Sequence, residues 1–206
     1  AHDVLHLGLK NPFLVRAEHP LAEQYPHQSL QEKRSAEHCL ALLDKHGILS
    51  PKEEDDNATR QSLADARALA EQVILWTNMS RHGDLMQETA ERAVPLAAVL
   101  DRARKAADSP EQNASRGATA ADLAAGLRAL PTDKETRTIF AAFLLHCADV
   151  SNPAKDWAQC ERWTGLVMNE FFTQGDLEKK LGMEVSMLCD RDAVSIPKSQ
   201  TGFGDF

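Results

Sequence analysis

The sequence predicts an all-α fold, and three observations carry that expectation. Apolar residues recur at i, i+3, i+4 and i+7 in several stretches. No stretch sustains the alternation of a half-buried strand. Ala and Leu are common while Val and Ile are few, which favours helices. The length of 206 residues suits one domain or a large piece of one.

The elements follow in order. His6 stands at i+4 from His2, so a helical turn would set both imidazoles on one side; Gly8 and Asn11 end that turn. Breaks are expected at Asn11-Pro12, His19-Pro20 and Tyr25-Pro26. Ala36, Cys39, Leu40 and Leu43 then repeat at helical spacing. After a break at Gly47, Ser50-Pro51-Lys52-Glu53 reads as a helix start, with Ser at the cap, Pro in the first turn and Glu three residues on. Leu69, Val73, Trp76 and Thr77 mark a further amphipathic helix. Residues 94–130 are rich in Ala, Asp and Arg, with turn-forming residues from Ser109 to Thr119. They read as a variable insertion between two core helices. Ile139 to Leu145 is a core segment, and its helix brings in Asp149, flanked by small Ala148 and Ser151. Beyond Asn152-Pro153, the residues Cys160, Trp163, Thr164, Val167, Met168 and Phe171 form one stripe. Gln200 then precedes Phe203 by three residues.

The net charge of −8 argues against a nucleic-acid backbone or an anionic membrane as main partner, because both are bound through basic patches. A small anionic ligand stays open, since a bound metal reverses the local field. The cysteines at 39, 147, 160 and 189 are scattered and read as buried thiols of a reducing compartment. No apolar run approaches the ~20 residues of a membrane helix, and no leader is visible, so a cytoplasmic location is expected. The opening at Ala1-His2-Asp3, without Met, reads as a fragment.

Three clusters carry chemistry. His2, Asp3, His6 and Asp149 offer imidazole and carboxylate ligands, a set that suits zinc, magnesium or manganese. Gln200 can turn its amide to a purine edge, and Phe203 can stack on the ring. Trp163, Val167 and Phe171 share a helix face at i, i+4 and i+8, equally suited to core packing and to a pocket wall.

The order of His2-Asp3-x-x-His6-x-Gly8-x-x-Asn11, Glu170-Phe171-Phe172, Gln174-Gly175-Asp176, Gly182-Met183-Glu184-Val185-Ser186, Cys189-Asp190-Arg191 and Ser199-Gln200-x-Gly202-Phe203 resembles the class I 3',5'-cyclic-nucleotide phosphodiesterases. The cAMP-specific branch is the nearest in pattern and the calmodulin-regulated, dual-specificity branch the next. The resemblance covers residues 1–90 and 131–206, and implies part of that compact multi-helix catalytic domain. It implies two divalent ions, Zn2+ with Mg2+ or Mn2+, that neutralise the phosphate and acidify a water. His2, Asp3 and Asp149 would be metal ligands, with Asp3 bridging. His6 and Glu32, which stands 29 residues after Asp3, would hold water at the reaction centre. Gln200, 51 residues after Asp149, would bind the purine with Phe203 and Asn152, against a wall of Trp163, Val167 and Phe171. The implied substrate is a cyclic nucleotide, cAMP before cGMP, although a glutamine serves either purine by flipping its amide.

The family's upstream His-Asn-x-x-His-Ala-x-Asp motif is not in this sequence, so little turnover is expected of residues 1–206 alone. Leu5, Leu7, Gln31, Lys33, Arg34, Ser35, Asn78 and Cys160 depart from the family pattern, and those at Leu5, Lys33, Arg34, Ser35 and Asn78 fall near the metal end. Lys33 and Arg34 would make that end less negative and poorer for cations. A second reading, a catalytically inactive nucleotide-binding or regulatory module, follows from that asymmetry. A third is a helical hydrolase of another phosphoester.

Overall fold

The computed structural model describes residues 2–26, 29–93, 101, 128 and 133–204, the side chain of Phe203 excepted. All regular structure among them is helical. The helices are α1 (Asn11–Arg16), α2 (Pro20–Gln24), α3 (Leu30–Lys45), α4 (Asn57–Leu75), α5 (His82–Arg92), α6 (Lys134–Asp149), α7 (Trp157–Lys180) and α8 (Ile196–Gly204), with short 3-10 turns at Met79–Arg81 and Asn152–Ala154. The insertion expected at 94–130 lies outside the described residues apart from Asp101 and Arg128.

Aspartates start three of the long helices, α4, α6 and α7. Asp56 accepts from the Thr59 amide (2.7 Å), Asp133 from the Thr136 amide (2.9 Å) and Asp156 from the Gln159 amide (3.1 Å). Each satisfies an amide that the first turn leaves without a partner. The expected start at Ser50 is therefore corrected: α4 begins at Asn57. Residues 50–56 are instead held as a turn by Arg60, whose guanidinium donates to the carbonyls of Lys52 and Asp55.

Among the described residues, two apolar clusters hold the bundle. Phe13, Leu14, Leu21 and Leu30 join α1, α2 and α3, with Leu9, Tyr25 and Met183 against them. Leu85, Ile139 and Ala142 join α5 to α6, with Val73 of α4 and Trp76 at its C-terminal cap packed against them. Full burial of one such leucine stabilises by ~1.5–3 kcal/mol. Polar ties reinforce the second cluster: Arg92 of α5 reaches Glu135 (3.1 Å), and Lys134 reaches Asp65 of α4 (3.0 Å). The expected core segment 139–145 holds only in part, because Leu144 faces outward at 68% exposure. Of the four free thiols only Cys189 is buried; Cys147 is exposed and the other two lie between, which corrects the expectation of buried cysteines.

A buried charge ties the first helix to the last long one. Glu178 is fully buried on α7 and receives Arg16 (2.5 Å), Gln174, and both the amide and hydroxyl of Ser186. Burial alone would raise its pKa, but the Ser186 donors, Gln174 and Arg16 outweigh that and leave it lowered. Gly175 lets residue 189 cross α7 closely: a Cβ there would sit 1.9 Å from the Cys189 carbonyl oxygen.

Candidate functional site

The segment before α1 is a turn, not a helical one. Leu5 (φ 65°) and Gly8 (φ 68°) are both left-handed, and the His6 amide closes on the Asp3 carbonyl at 3.0 Å. His6 therefore does not stack over His2 as the i+4 spacing suggested. Its Nδ1 turns back and accepts from the Gly8 amide (3.1 Å), which leaves the proton of a neutral ring on Nε2.

The residues that depart from the family pattern hold this turn on α3. Gln31 is buried; its amide accepts from the Leu7 amide (3.0 Å) and donates to the Leu9 carbonyl (2.6 Å). The Ser35 hydroxyl donates to the Val4 carbonyl (2.8 Å), and Arg34 donates to the Leu5 carbonyl (3.3 Å). The Lys33 charge is met by Glu71 of α4 at 2.5 Å. Asn78 caps the 3-10 turn by accepting from the Ser80 amide (3.0 Å) and donates to the Ser29 hydroxyl (2.8 Å).

Held in this way, the turn brings His2 and Asp3 to Asp149 at the end of α6. His2 Nε2 lies 2.9 Å from Asp3 Oδ2 and 3.2 Å from Asp149 Oδ1. One ligand atom from each of the three residues lies within 4.8 Å of the other two. The hydrogen bond to Asp149, then that to Asp3, pushes the His2 imidazole up to about 9 from 6.5. The same contact with His2 holds Asp3 below the usual carboxylate range. One imidazole and two carboxylates converging on one point fit a divalent ion that takes mixed nitrogen and oxygen ligands. Glu32 stands apart on α3, where one carboxylate oxygen accepts from the Asn11 side-chain amide (2.8 Å).

The residues expected at the base end meet where α7, α8 and the 152–154 turn come together. Asn152 Nδ2 donates to the Cys160 carbonyl (3.2 Å) and faces the Thr164 hydroxyl (3.4 Å). The Thr164 hydroxyl donates to Gln200 Oε1 (2.9 Å). Asn152 is only three residues beyond Asp149, so the two ends are neighbours along the chain. Trp163 and Val167 are 50% and 44% exposed, so they are not core residues. Phe171 is half-buried, with the Lys10 ammonium 4.4 Å above its ring. Phe203 lies on α8, and its side chain is outside the described set.

Two residues escaped the sequence reading. Thr164 was read only as part of the helix stripe, although it shares a face of α7 with Cys160 one turn earlier. His146, one turn before Asp149, is buried and its Nε2 lies 2.8 Å from His82 Nδ1. Burial, then the neighbouring His82, lowers its pKa. The His146-x-x-Asp149 spacing was the available signal.

Comparison with known proteins bears on the whole chain. The family profile described as 3'5'-cyclic nucleotide phosphodiesterase matches residues 1–206. The 3',5'-cyclic-AMP phosphodiesterase, isoform F, of Drosophila melanogaster is 32% identical over 206 residues, which is 100% of this chain and 27% of that protein. The dual specificity calcium/calmodulin-dependent 3',5'-cyclic nucleotide phosphodiesterase 1 of Drosophila melanogaster is 30% identical over 207 residues, covering 100% of this chain and 20% of that protein. The solved structure of LmjPDEB1 in complex with IBMX superposes with a TM-score of 0.68 at 23% identity, over 100% of this chain and 52% of that one, and supports the fold. The chain thus spans about a quarter or less of these two curated relatives. With the profile met from the first residue to the last, the chain belongs to the 3'5'-cyclic nucleotide phosphodiesterase family.

Proposed function

We propose that the intact protein hydrolyses a 3',5'-cyclic nucleotide, cAMP in preference to cGMP, to the 5'-monophosphate. The observation that carries this reading is the convergence of His2, Asp3 and Asp149, three residues along the chain from Asn152. His2, Asp3 and Asp149 would hold divalent ions there, zinc with magnesium or manganese. Bound there, the ions would neutralise the phosphate and lower the pKa of a water so that it can give up a proton and act as the nucleophile.

The chain's own residues supply orientation. His6 keeps its proton on Nε2 because Nδ1 is engaged by Gly8, so the ring can donate to a water at the reaction centre. Glu32 has one oxygen fixed by Asn11 and can accept a water proton with the other. Gln200 and Asn152 would hold the base edge, with Phe203 stacked on its face. Trp163 and Val167 are open to solvent on α7 and would line the entrance beside Phe171.

The reading as an inactive module rested on a weakened metal end. The Lys33 charge is met by Glu71 of α4, so it is not left unpaired beside the carboxylates. That favours the hydrolase. The test is hydrolysis of cAMP by the intact protein after chelation and after return of Mn2+ or Zn2+. Metal-dependent release of 5'-AMP, lost in Asp149→Asn, is expected. Nucleotide binding without hydrolysis in any divalent ion would favour the inactive module instead.

A further inference from the structure

Lys10 stands where a helix start usually carries Ser, Thr, Asp or Asn. It is the residue before α1, and its carbonyl accepts from the Phe13 and Leu14 amides (3.0 and 3.1 Å), but its side chain caps nothing. A positive charge beside the first turn also opposes the helix dipole. Two local preferences are broken at one position, and such breaks mark residues used for something else. The side chain is turned to α7 instead. Its ammonium lies 4.4 Å over the Phe171 ring and donates to the Met187 carbonyl (2.9 Å). The Lys10 amide donates to Oε1 of Gln174, a buried residue of the same helix (2.7 Å). Burial pushes the Cys189 thiol up, with the Lys10 ammonium acting against that.

The turn that Lys10 grips needs holding. The Cys189 amide closes on the Ser186 carbonyl (3.0 Å), and Leu188 is left-handed (φ 68°), a costly conformation for a residue with a branched side chain. The Met187 side chain is 82% exposed and does not anchor it. Resting on the reading that Phe171 lines the nucleotide site, we infer that Lys10 is a positioning residue: its ammonium fixes the Phe171 ring and ties the 186–189 turn to that wall. The cation covers one face of the ring and leaves the rest to a ligand. Lys10 also ends the segment that carries His2 and Asp3, so it joins that segment to α7.

The test compares wild type, Lys10→Met and Lys10→Arg in the intact protein, by cAMP hydrolysis at saturating Mn2+ and by amide hydrogen exchange. Lys10→Met keeps the length of the side chain and removes its charge. It should raise KM by ~10-fold, the scale of a lost cation–ring contact with its hydrogen bond, and leave kcat and Mn2+ affinity near wild type. Exchange at residues 187–189 should quicken. Lys10→Arg, which can stack and donate, should restore both. If Lys10→Met does not fold, Lys10→Gln takes its place. If the wild type binds cAMP without hydrolysing it, the dissociation constant replaces KM with the same expected ratio. An unchanged KM, a fall in kcat alone, unchanged exchange, or no rescue by Lys10→Arg overturns the inference. Phe171→Ala separates the two layers: if it raises KM while Lys10→Met does not, the wall stands and only the role of Lys10 falls. If Phe171→Ala leaves KM unchanged, the wall reading itself fails.

Discussion

The candidate metal end and the candidate base end are built on different principles. At the metal end, His2 and Asp3 lie on a turn with two left-handed residues and depend on neighbours for position. Gln31, Arg34 and Ser35 hold that turn through its backbone. At the base end, Asn152, Thr164 and Gln200 come from one 3-10 turn and two helices and contact each other by side chain. A support that grips backbone can change identity as long as the bond is remade. A relay of side chains carries information in its donor and acceptor order, so a one-atom change rewrites it.

The largest effect that could break this comparison is expected at Asp149. Asp149→Ala should lower metal content and turnover by more than ~10²-fold, beyond what loss of an outer partner costs. Affinity for 5'-AMP measured without metal should hold. A fall in base affinity equal to the fall in metal content would mean that the two ends are not separately built.

Gly175→Ala tests the crossing that leads the chain to α8. The new Cβ would strike the Cys189 carbonyl, and ~3 kcal/mol of stability should be lost in denaturant unfolding. Wild-type stability would show that the 186–195 segment is not held against α7.

Gln200→Ala should weaken nucleotide affinity by ~1–3 kcal/mol, the cost of leaving a polar edge unpaired. Metal content should stay at the wild-type level. Altered metal stoichiometry would show that the base end reaches into the metal end.

The pH dependence sharpens the account of His2. A metal must displace its proton, so Mn2+ affinity should rise about tenfold per pH unit and level off above about 9. In the metal-free protein the sign for stability is opposite. The imidazolium contribution is complete below 6.5 and is lost as pH rises through 9. A Mn2+ affinity independent of pH between 6 and 8 would contradict His2 as ligand.

The smallest effect belongs to Lys33. Its half-exposed pair with Glu71 is worth only ~0–1 kcal/mol, and Lys33→Ala should leave metal affinity within about twofold. A large gain in metal affinity would revive the inactive-module reading.

The sequence made the helical class legible because the apolar stripe of α7 and the Val73–Trp76 packing face follow the 3.6-residue period. Imidazole and carboxylate types also pointed to a candidate ligand set, and the structure brings His2, Asp3 and Asp149 of it together. It misled where local signals compete. Ser50 with Pro51 looked like a cap, but Asp56 took that role once Arg60 pinned the preceding turn. The i+4 spacing of His2 and His6 suggested a helix, but Leu5 and Gly8 turn the backbone left-handed there. Supports such as Gln31 and Ser35 looked like losses because their value lies in backbone carbonyls and amides, which carry no sequence signature. Thr164 was hidden for a related reason: the direction of a hydroxyl proton is set only by what surrounds it.

The central claim is that the ions and the purine occupy one continuous site. A crystal structure of the intact protein with Mn2+ and 5'-AMP, read with manganese anomalous scattering, tests it most directly. The account predicts manganese within bonding distance of His2 Nε2 and of carboxylate oxygens of Asp3 and Asp149, with adenine against Gln200 and Asn152 of the same molecule. Manganese bound elsewhere, or an adenine ring turned away from Gln200, would contradict it.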